Sequence, residues 1–257
     1  MSAISAREHH WDSLRAFLML LGIPYHAAMI YHSRVLWDVQ SPDKSELLTF
    51  ASGVLVSFRM PAFFIVAGYF AAMMLEKRTP SDWLKGRLIR LGVPFATGLV
   101  LLAPVQVALI DLNRAVTGAI SLTDALDVAA RDVAHPGVSW IMHLWFLPAL
   151  LIYSTLLVGG RTLLNGPALD RLLEKLRVSC LSASHGVLLI LALSIGAWDV
   201  IISLSRQAML GAEGTVAYLL AHGIDPYLRY LPFFFLGVVF RSLPDVRSAV
   251  VWRKGWQ

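Results

Sequence analysis

The sequence predicts an all-α polytopic transmembrane helix bundle, and three observations support this fold class. Apolar residues make up 57% of the 257 residues, the mean hydropathy is +0.64, and only 15% of the residues are charged. A soluble domain carries about a quarter charged residues, so we expect much of this surface to face lipid. Apolar stretches of close to 20 residues, enough for a helix to cross hydrocarbon, recur along the chain. We therefore predict one membrane domain over residues 1–257.

The apolar stretches define six candidate spans, of which the last is the weakest. Asp225, Pro226 and Arg229 interrupt the beginning of that last span. Between the third and fourth spans, an amphipathic pattern predicts a surface helix that Ser121 or Thr123 caps and His135-Pro136 ends. The predicted spans cover residues 13–31, 53–75, 88–110, 141–158, 185–203 and 221–240.

Loop charge predicts the orientation of these spans. Basic residues gather in the loop 76–87, after the fourth span and after the sixth, whereas the loop 111–139 is rich in aspartate. Short loops with excess Lys and Arg face the cytoplasm, so the N-terminus is predicted to be cytoplasmic. This distribution accounts for the pI of about 9.6, and we therefore expect the lipid bilayer, and no nucleic acid, as a partner.

Metal and nucleotide-binding motifs are missing from the sequence. Cys180 is the only cysteine, which excludes an intrachain disulfide and a cysteine-based metal site. The chain also lacks a phosphate loop, a dinucleotide fingerprint and a nucleophile elbow. We predict no metal site and no permanently bound cofactor.

The first span carries Arg15 and His26 on one helix face. Their separation of eleven residues corresponds to about three turns and about 16 Å of rise. Ionisable groups inside hydrocarbon usually face a polar cavity, and an imidazole can take a proton from a hydroxyl near neutral pH. Two alternatives stay open: Arg15 snorkels to the headgroups beside Asp12, and His26 is a structural histidine.

Three further groups of residues are candidates for a site. Arg87 and Arg90, one turn apart near Lys85, suit phosphate oxygens, although cytoplasmic flanking alone explains basic residues here. At the outer start of the fourth span, interfacial anchoring explains Trp140 and can extend to Trp145, but it leaves His143 unexplained.

Arg59 is the third candidate, because it lies within the second span. A cation at such a depth needs an anionic or carbonyl partner. Asp199, late in the fifth span, is either that partner or an interfacial residue, and the sequence leaves both possibilities open.

Four motifs together resemble the membrane acyltransferase-3 family, and most closely its glucan biosynthesis protein C branch. The resemblance covers residues 7–95 and 140–150. The motifs are Asp12…Arg15…His26, the run Phe-Phe-x-x-x-Gly-Tyr-Phe at 63–70, Arg87-x-x-Arg90-Leu-Gly-Val-Pro, and His143-Leu-Trp-Phe-Leu.

The resemblance implies a multi-pass enzyme of the bacterial inner membrane. Such an enzyme takes an acyl group, succinyl or acetyl, from cytoplasmic acyl-CoA as donor substrate and transfers it to hydroxyls of a periplasmic glucan or other envelope polysaccharide. The resemblance assigns catalysis to His26 with Arg15 and Asp12 as motif partners, and CoA binding to Arg87 and Arg90 with Lys85. It also implies that His143 and Trp145 lie near the acceptor. A succinyl group carries an extra carboxylate and needs one more cation, for which Arg59 is a candidate on composition grounds alone.

Two departures from the family pattern and one alternative function accompany this interpretation. Family members have about ten spans, so we expect further C-terminal spans to be missing here, and Ala67-Gly68 replaces the usual Ser-Gly. The alternative is a non-enzymatic glucan exporter or synthase subunit, which the lack of an internal repeat disfavours. For the enzyme, we expect Arg15, His26 and Arg87 to line one polar tunnel.

Overall fold

The computed structural model describes residues 9–35, 37–137, 140–163, 184–210 and 223–242, and these residues form helices and connecting turns without a β-strand. The all-α prediction is confirmed for this part of the chain. Cys180 lies outside the described residues. The helices in chain order are α1 (His9–Leu20), α2 (Gly22–Met29), α3 (Glu46–Leu75), α4 (Pro80–Arg87), α5 (Val93–Leu101), α6 (Ala103–Val116), α7 (Leu122–Ala134), α8 (Phe146–Leu163), α9 (Ser184–Leu210), α10 (Asp225–Arg229) and α11 (Leu231–Ser242).

Two helices in the described ranges are each long and apolar enough to cross a membrane. They are α3 and the helix Met142–Leu163, which joins a short 3₁₀ turn to α8. Pro80–Leu101 and Ala103–Val116 qualify together as a third span, bent by 43°. These helices correspond to the second, fourth and third predicted spans, and the total of six stays a prediction.

The first predicted span is divided at Leu21 into α1 and α2. Pro24 has no amide hydrogen, so it cannot bond the carbonyl of Leu20, and it lies in the first turn of α2 where that loss is tolerated. The amides of Leu21 and Tyr25 still bond the carbonyls four residues earlier, at 3.0 and 3.3 Å. The two helices therefore follow one another along the chain with a break of a single residue.

The third predicted span is also interrupted. Residues Leu88–Gly92, which include Arg90, form a π-helical turn, and α5 ends just before the bend at Leu102. Pro104 in the first turn of α6 cannot donate to the preceding turn, which accounts for the bend.

The helix predicted between the third and fourth spans is confirmed as α7, and Ser121 is its cap. The Ser121 hydroxyl accepts the amide of Asp124 at 3.1 Å, so Thr123 is not the capping residue. Ala125 and Ala129 are buried in the packing of α7 with α6, whereas Leu122 and Leu126 are exposed.

The core of the bundle lies where α3, α8 and α11 meet. Phe64, Tyr153 and Phe234 come from these three helices and are fully buried. The Tyr153 ring centre is 5.5 Å from that of Phe64 and 5.3 Å from that of Phe234. Spacings of this kind are typical of favourable aromatic pairs, so one aromatic cluster joins helices that are distant in sequence.

Two glycines bring the backbones of α3 and α11 into direct contact. A Cβ atom on Gly68 would collide with the carbonyl oxygen of Phe234, and one on Gly237 would collide with that of Ile65. Small residues at such crossings allow close helix packing inside membranes. The motif around Gly68 therefore has a packing role that the sequence alone leaves undefined.

We predict that Gly68→Ala destabilises the protein, because the new methyl group forces α3 and α11 apart. Overpacking of this kind costs about 1–3 kcal/mol. Gly53→Ala on the same helix is the control, since a Cβ there meets no atom within 4 Å and alanine favours the helix. Thermal unfolding of the two detergent-solubilised variants provides the comparison. Equal or higher stability of Gly68→Ala relative to Gly53→Ala would contradict the close crossing.

Candidate active site

His26 and His143 belong to different predicted spans, the first and the fourth, and their side chains lie against each other. Their ring centres are 4.4 Å apart and their planes meet at 77°, an edge-to-face contact. His143 belongs to the 3₁₀ turn Met142–Trp145, in which Met142 has a φ angle of 31°. Non-glycine residues rarely adopt this left-handed conformation, and such strain is often found at functional sites.

A cavity of about 930 Å³ lies beside the two imidazoles. This volume is within the range of small-molecule sites. Four of the predicted site residues line the cavity together: His26, His143, Trp145 and Arg59. Other polar and aromatic side chains in its wall are Tyr25, Trp37, Asp38, Phe63, Gln106, Phe146, Asp225, Arg229 and Tyr230.

The loop between α2 and α3 contributes Trp37 to this wall. The Trp37 ring centre is 5.6 Å from that of His26 and 6.3 Å from that of His143. Backbone hydrogen bonds of 3.0 Å hold the loop, from the amide of Ser41 to Ile30 and from that of Ser45 to Tyr31. The loop therefore presents an aromatic face to both histidines from an ordered position.

Arg59 extends from α3 towards α2. Its guanidinium carbon lies 4.7 Å from the ring centre of Tyr25, a cation–π contact. A Cβ atom on Gly22 would come within 2.8 Å of the Arg59 Nη1 atom, so the missing side chain of Gly22 makes room for this guanidinium.

Asp199 is not the partner of Arg59. Asp199 forms an ion pair with Arg229, whose Nη2 atom also lies 3.0 Å from Oδ1 of Asp225. The two carboxylates come from α9 and α10, and the pairing holds these helices together at the edge of the cavity. In the described ranges, no group of three or more His, Cys, Asp or Glu side chains is placed to hold a metal ion.

A second cluster is formed by three arginines. The Arg87 Nε atom donates to the Ser154 hydroxyl at 3.3 Å, and the Arg87 guanidinium lies 5.3 Å from the Trp83 ring centre. Arg15 and Arg90 lie close enough for their charges to act on Arg87. The buried Nη2 atom of Arg87 has no hydrogen-bond partner among the described residues. Three adjacent cations with an unused donor are suited to an anion such as a phosphate.

The single tunnel expected from the sequence stays a prediction, because the cavity of His26 does not itself include the arginine cluster. Arg15 and Arg87 are not among the residues that line the cavity of His26. Lys85 is exposed on α4. The side chain of Asp12 lies outside the described part of α1, so its predicted pairing with Arg15 stays a prediction. A site that uses both clusters needs a substrate long enough to reach from one to the other.

Sequence reasoning missed several residues of the cavity. Trp37 and Asp38 lie in a connecting loop without a recognisable motif, so nothing in their spacing indicated a role. Asp225 and Arg229 were interpreted only as interruptions of a span. Their separation of four residues, which allows an ion pair on a helix, was the available signal.

Comparison with known proteins identifies the family. The family model described as acyltransferase domain, acyltransferase 3, matches residues 8–256. Glucans biosynthesis protein C from Shigella dysenteriae serotype 1 (strain Sd197), from Escherichia coli (strain K12) and from Escherichia coli O1:K1 / APEC is in each case 32% identical over 254 residues. These matches cover 94% of this chain and 60% of each relative's length.

No solved structure matches the chain. The family model extends over nearly all of the sequence and includes His26, His143 and the three arginines. Together with apolar helices suited to a bilayer, the match agrees with the resemblance of the four sequence motifs. The chain is a membrane protein that belongs to the acyltransferase 3 family.

Proposed function

We propose that this chain acts as an integral inner-membrane O-acyltransferase. In this proposal it moves a succinyl or acetyl group from cytoplasmic acyl-CoA to hydroxyls of a periplasmic glucan or related envelope polysaccharide. The observation that carries the proposal is the contact of His26 with His143 at a cavity, in a chain of an acyltransferase family. The glucan acceptor is supported by the name of the relatives. The six-span bundle with a cytoplasmic N-terminus is supported by the loop charges.

In the proposed reaction, His26 acts as general base. The acceptor hydroxyl oxygen attacks the thioester carbonyl carbon, so that a C–O bond forms and the C–S bond breaks. The hydroxyl proton moves to His26 and then to the departing CoA thiolate. The Nδ1 atom of His26 is buried and has no hydrogen-bond partner in the described residues, which supports a ring nitrogen available for this proton.

The donor side of the proposed site is the arginine cluster. Arg15, Arg87 and Arg90 pair with the CoA phosphates, and the exposed Lys85 adds a fourth cation near them. Eleven residues of ideal helix rise about 16 Å, so the extended arm of CoA is needed to reach from Arg15 towards His26.

On the acceptor side, His143, Trp145 and Trp37 present polar and aromatic surfaces beside His26. Aromatic side chains with a polar edge suit a ligand that is apolar on one face and polar at its rim, such as a sugar ring. This arrangement supports delivery of the acceptor hydroxyl to the face of His26 that His143 also contacts.

We predict that His26→Ala lowers the rate of ester formation by at least about 100-fold, since general base catalysis contributes 10²- to 10⁴-fold. The assay uses membranes that contain the expressed chain, acyl-CoA and a neutral glucan, with the ester detected by mass spectrometry. The matched control is His135→Ala, at the exposed end of α7 and outside the cavity, which should retain wild-type activity. If the His26→Ala protein is expressed normally and forms the ester at the wild-type rate, the catalytic role of His26 is contradicted. That result would favour a glucan exporter or synthase subunit.

We predict that Arg90→Gln raises the KM for acyl-CoA by about 10-fold, because a charge-assisted contact to phosphate is lost. Arg78→Gln, an exposed arginine in the neighbouring basic loop, serves as the control. The KM of each variant is measured at low and high salt. A KM that is unchanged in Arg90→Gln, or raised equally in Arg78→Gln, would contradict a specific phosphate contact.

A further inference from the structure

Three arginines in the described ranges are paired with a carboxylate from another helix or loop. Arg229 binds Asp199 and Asp225, Arg241 binds Glu76, and Arg34 binds Glu46. Arg59 lines the same cavity as Arg229 but forms no ion pair or hydrogen bond with any described residue. The cavity therefore contains one neutralised guanidinium and one without a carboxylate.

The neighbours of Arg59 are aromatic and neutral. Its guanidinium lies over the Tyr25 ring, and the phenol groups close enough to interact with its charge are those of Tyr25 and Tyr230. The Nε atom of Arg59 is buried without a hydrogen-bond partner in the described ranges. Cation–π contact compensates only part of the cost of removing a guanidinium from water. The side chain is thus held in position and retains an unused donor.

Two features determine what this guanidinium is suited to bind. The planar fork of arginine matches the two oxygens of a carboxylate, and a cation at membrane depth is stabilised by an anion in the cavity. The charge of Arg59 also acts on both His26 and His143. An anion bound by Arg59 therefore lies beside the imidazoles of the candidate active site.

We propose that Arg59 is a specificity-determining residue that binds a carboxylate at the far end of the transferred acyl group. The inference rests on the proposed acyltransferase function and decides a point that the function leaves open. It selects a carboxylate-terminated acyl group, of the succinyl type, over a neutral acyl group of equal length. Arg59 keeps its proton throughout: the hydroxyl oxygen forms the new ester bond, the C–S bond breaks, and His26 handles the transferred proton.

The distances agree with a short dicarboxylic chain. Arg59 lies 4.7 Å from the Tyr25 ring centre, and that ring centre lies 4.9 Å from the His26 ring centre. In a four-carbon acyl group the two carboxyl carbons are about 4 Å apart, because each C–C bond is about 1.5 Å long. The two ring distances place the Arg59 guanidinium carbon within about 10 Å of the His26 ring centre, and one succinyl group with a hydrogen bond of about 3 Å at each end fits this limit.

None of the other charged side chains that line the cavity is as well suited as Arg59 to bind the donor carboxylate. Arg229 is already bound by two carboxylates, and Asp225 is one of them. The charge of Asp38 acts on His143, on the side where the acceptor is proposed to bind. A donor carboxylate next to Arg59 therefore meets an unpaired cation.

The test in the wild-type protein compares two four-carbon donors that differ only at the chain end, which is a carboxylate in one and a methyl group in the other. Membranes containing the expressed chain are supplied with succinyl-CoA or butyryl-CoA and a neutral glucan, and kcat/KM is measured for each donor. We expect a preference for succinyl-CoA of about 10- to 100-fold, the range of a charge-assisted hydrogen bond in a site of low polarity. Equal use of the two donors would overturn the assignment.

Variants locate the preference at Arg59. Arg59→Gln is expected to reduce the succinyl-to-butyryl preference to about one, mainly through the KM for succinyl-CoA, and Arg59→Lys is expected to restore part of it. The control is Arg34→Gln, which removes an exposed, paired arginine outside the cavity and should keep the wild-type preference.

The outcomes separate this inference from the proposed function. Transfer with an unchanged donor preference in Arg59→Gln overturns the role of Arg59 and leaves the acyltransferase function intact. If Arg59→Gln does not fold, the partial loss of preference expected in Arg59→Lys takes its place, and equal use of the two donors by the wild-type protein still overturns the assignment. A wild-type protein that transfers neither acyl group contradicts the acyltransferase function and this inference with it.

Discussion

The close crossing of α3 and α11 is the constraint on which the described structure depends. Gly68 and Gly237 each allow the backbone of the other helix to approach without an intervening side chain. Tyr230, just before α11, can then stack on Phe64 and on Trp145, with ring centres 5.3 and 5.4 Å away. These stacked rings join the core to the cavity wall. The backbone contact of α3 with α11 thus helps to position Tyr230 in the cavity wall.

Charge is distributed unevenly around that cavity. Arg229 is neutralised by carboxylates from two helices, and its role is to connect α9 with α10. Arg59 is supported by an aromatic ring and by the space at Gly22. The same residue type therefore serves structure at one position and is free to bind a ligand at another. The difference follows from the partners that each guanidinium meets, because both residues belong to the same cavity.

The sequence predicted the candidate site better than the course of the helices. His26, His143, Trp145 and Arg59 were selected as ionisable or aromatic residues in apolar segments, and they line one cavity. The break of the first predicted span at Leu21 was not predicted, and of the two roles left open for Asp199 the pairing with Arg59 is excluded because Asp199 pairs with Arg229. Trp37 was missed, since a residue in an irregular loop has no periodicity that indicates which way it faces.

The sequence by itself determined the all-α class, the membrane environment and the family, because hydropathy, span length and motif spacing are properties of the chain in one dimension. Only the tertiary structure decided which polar residues share a cavity and which cations are already paired. Those relations join residues more than a hundred positions apart, such as His26 with His143. Helix rotation, the glycine crossing and the loop that carries Trp37 bring them together, and none of these can be calculated from local spacing.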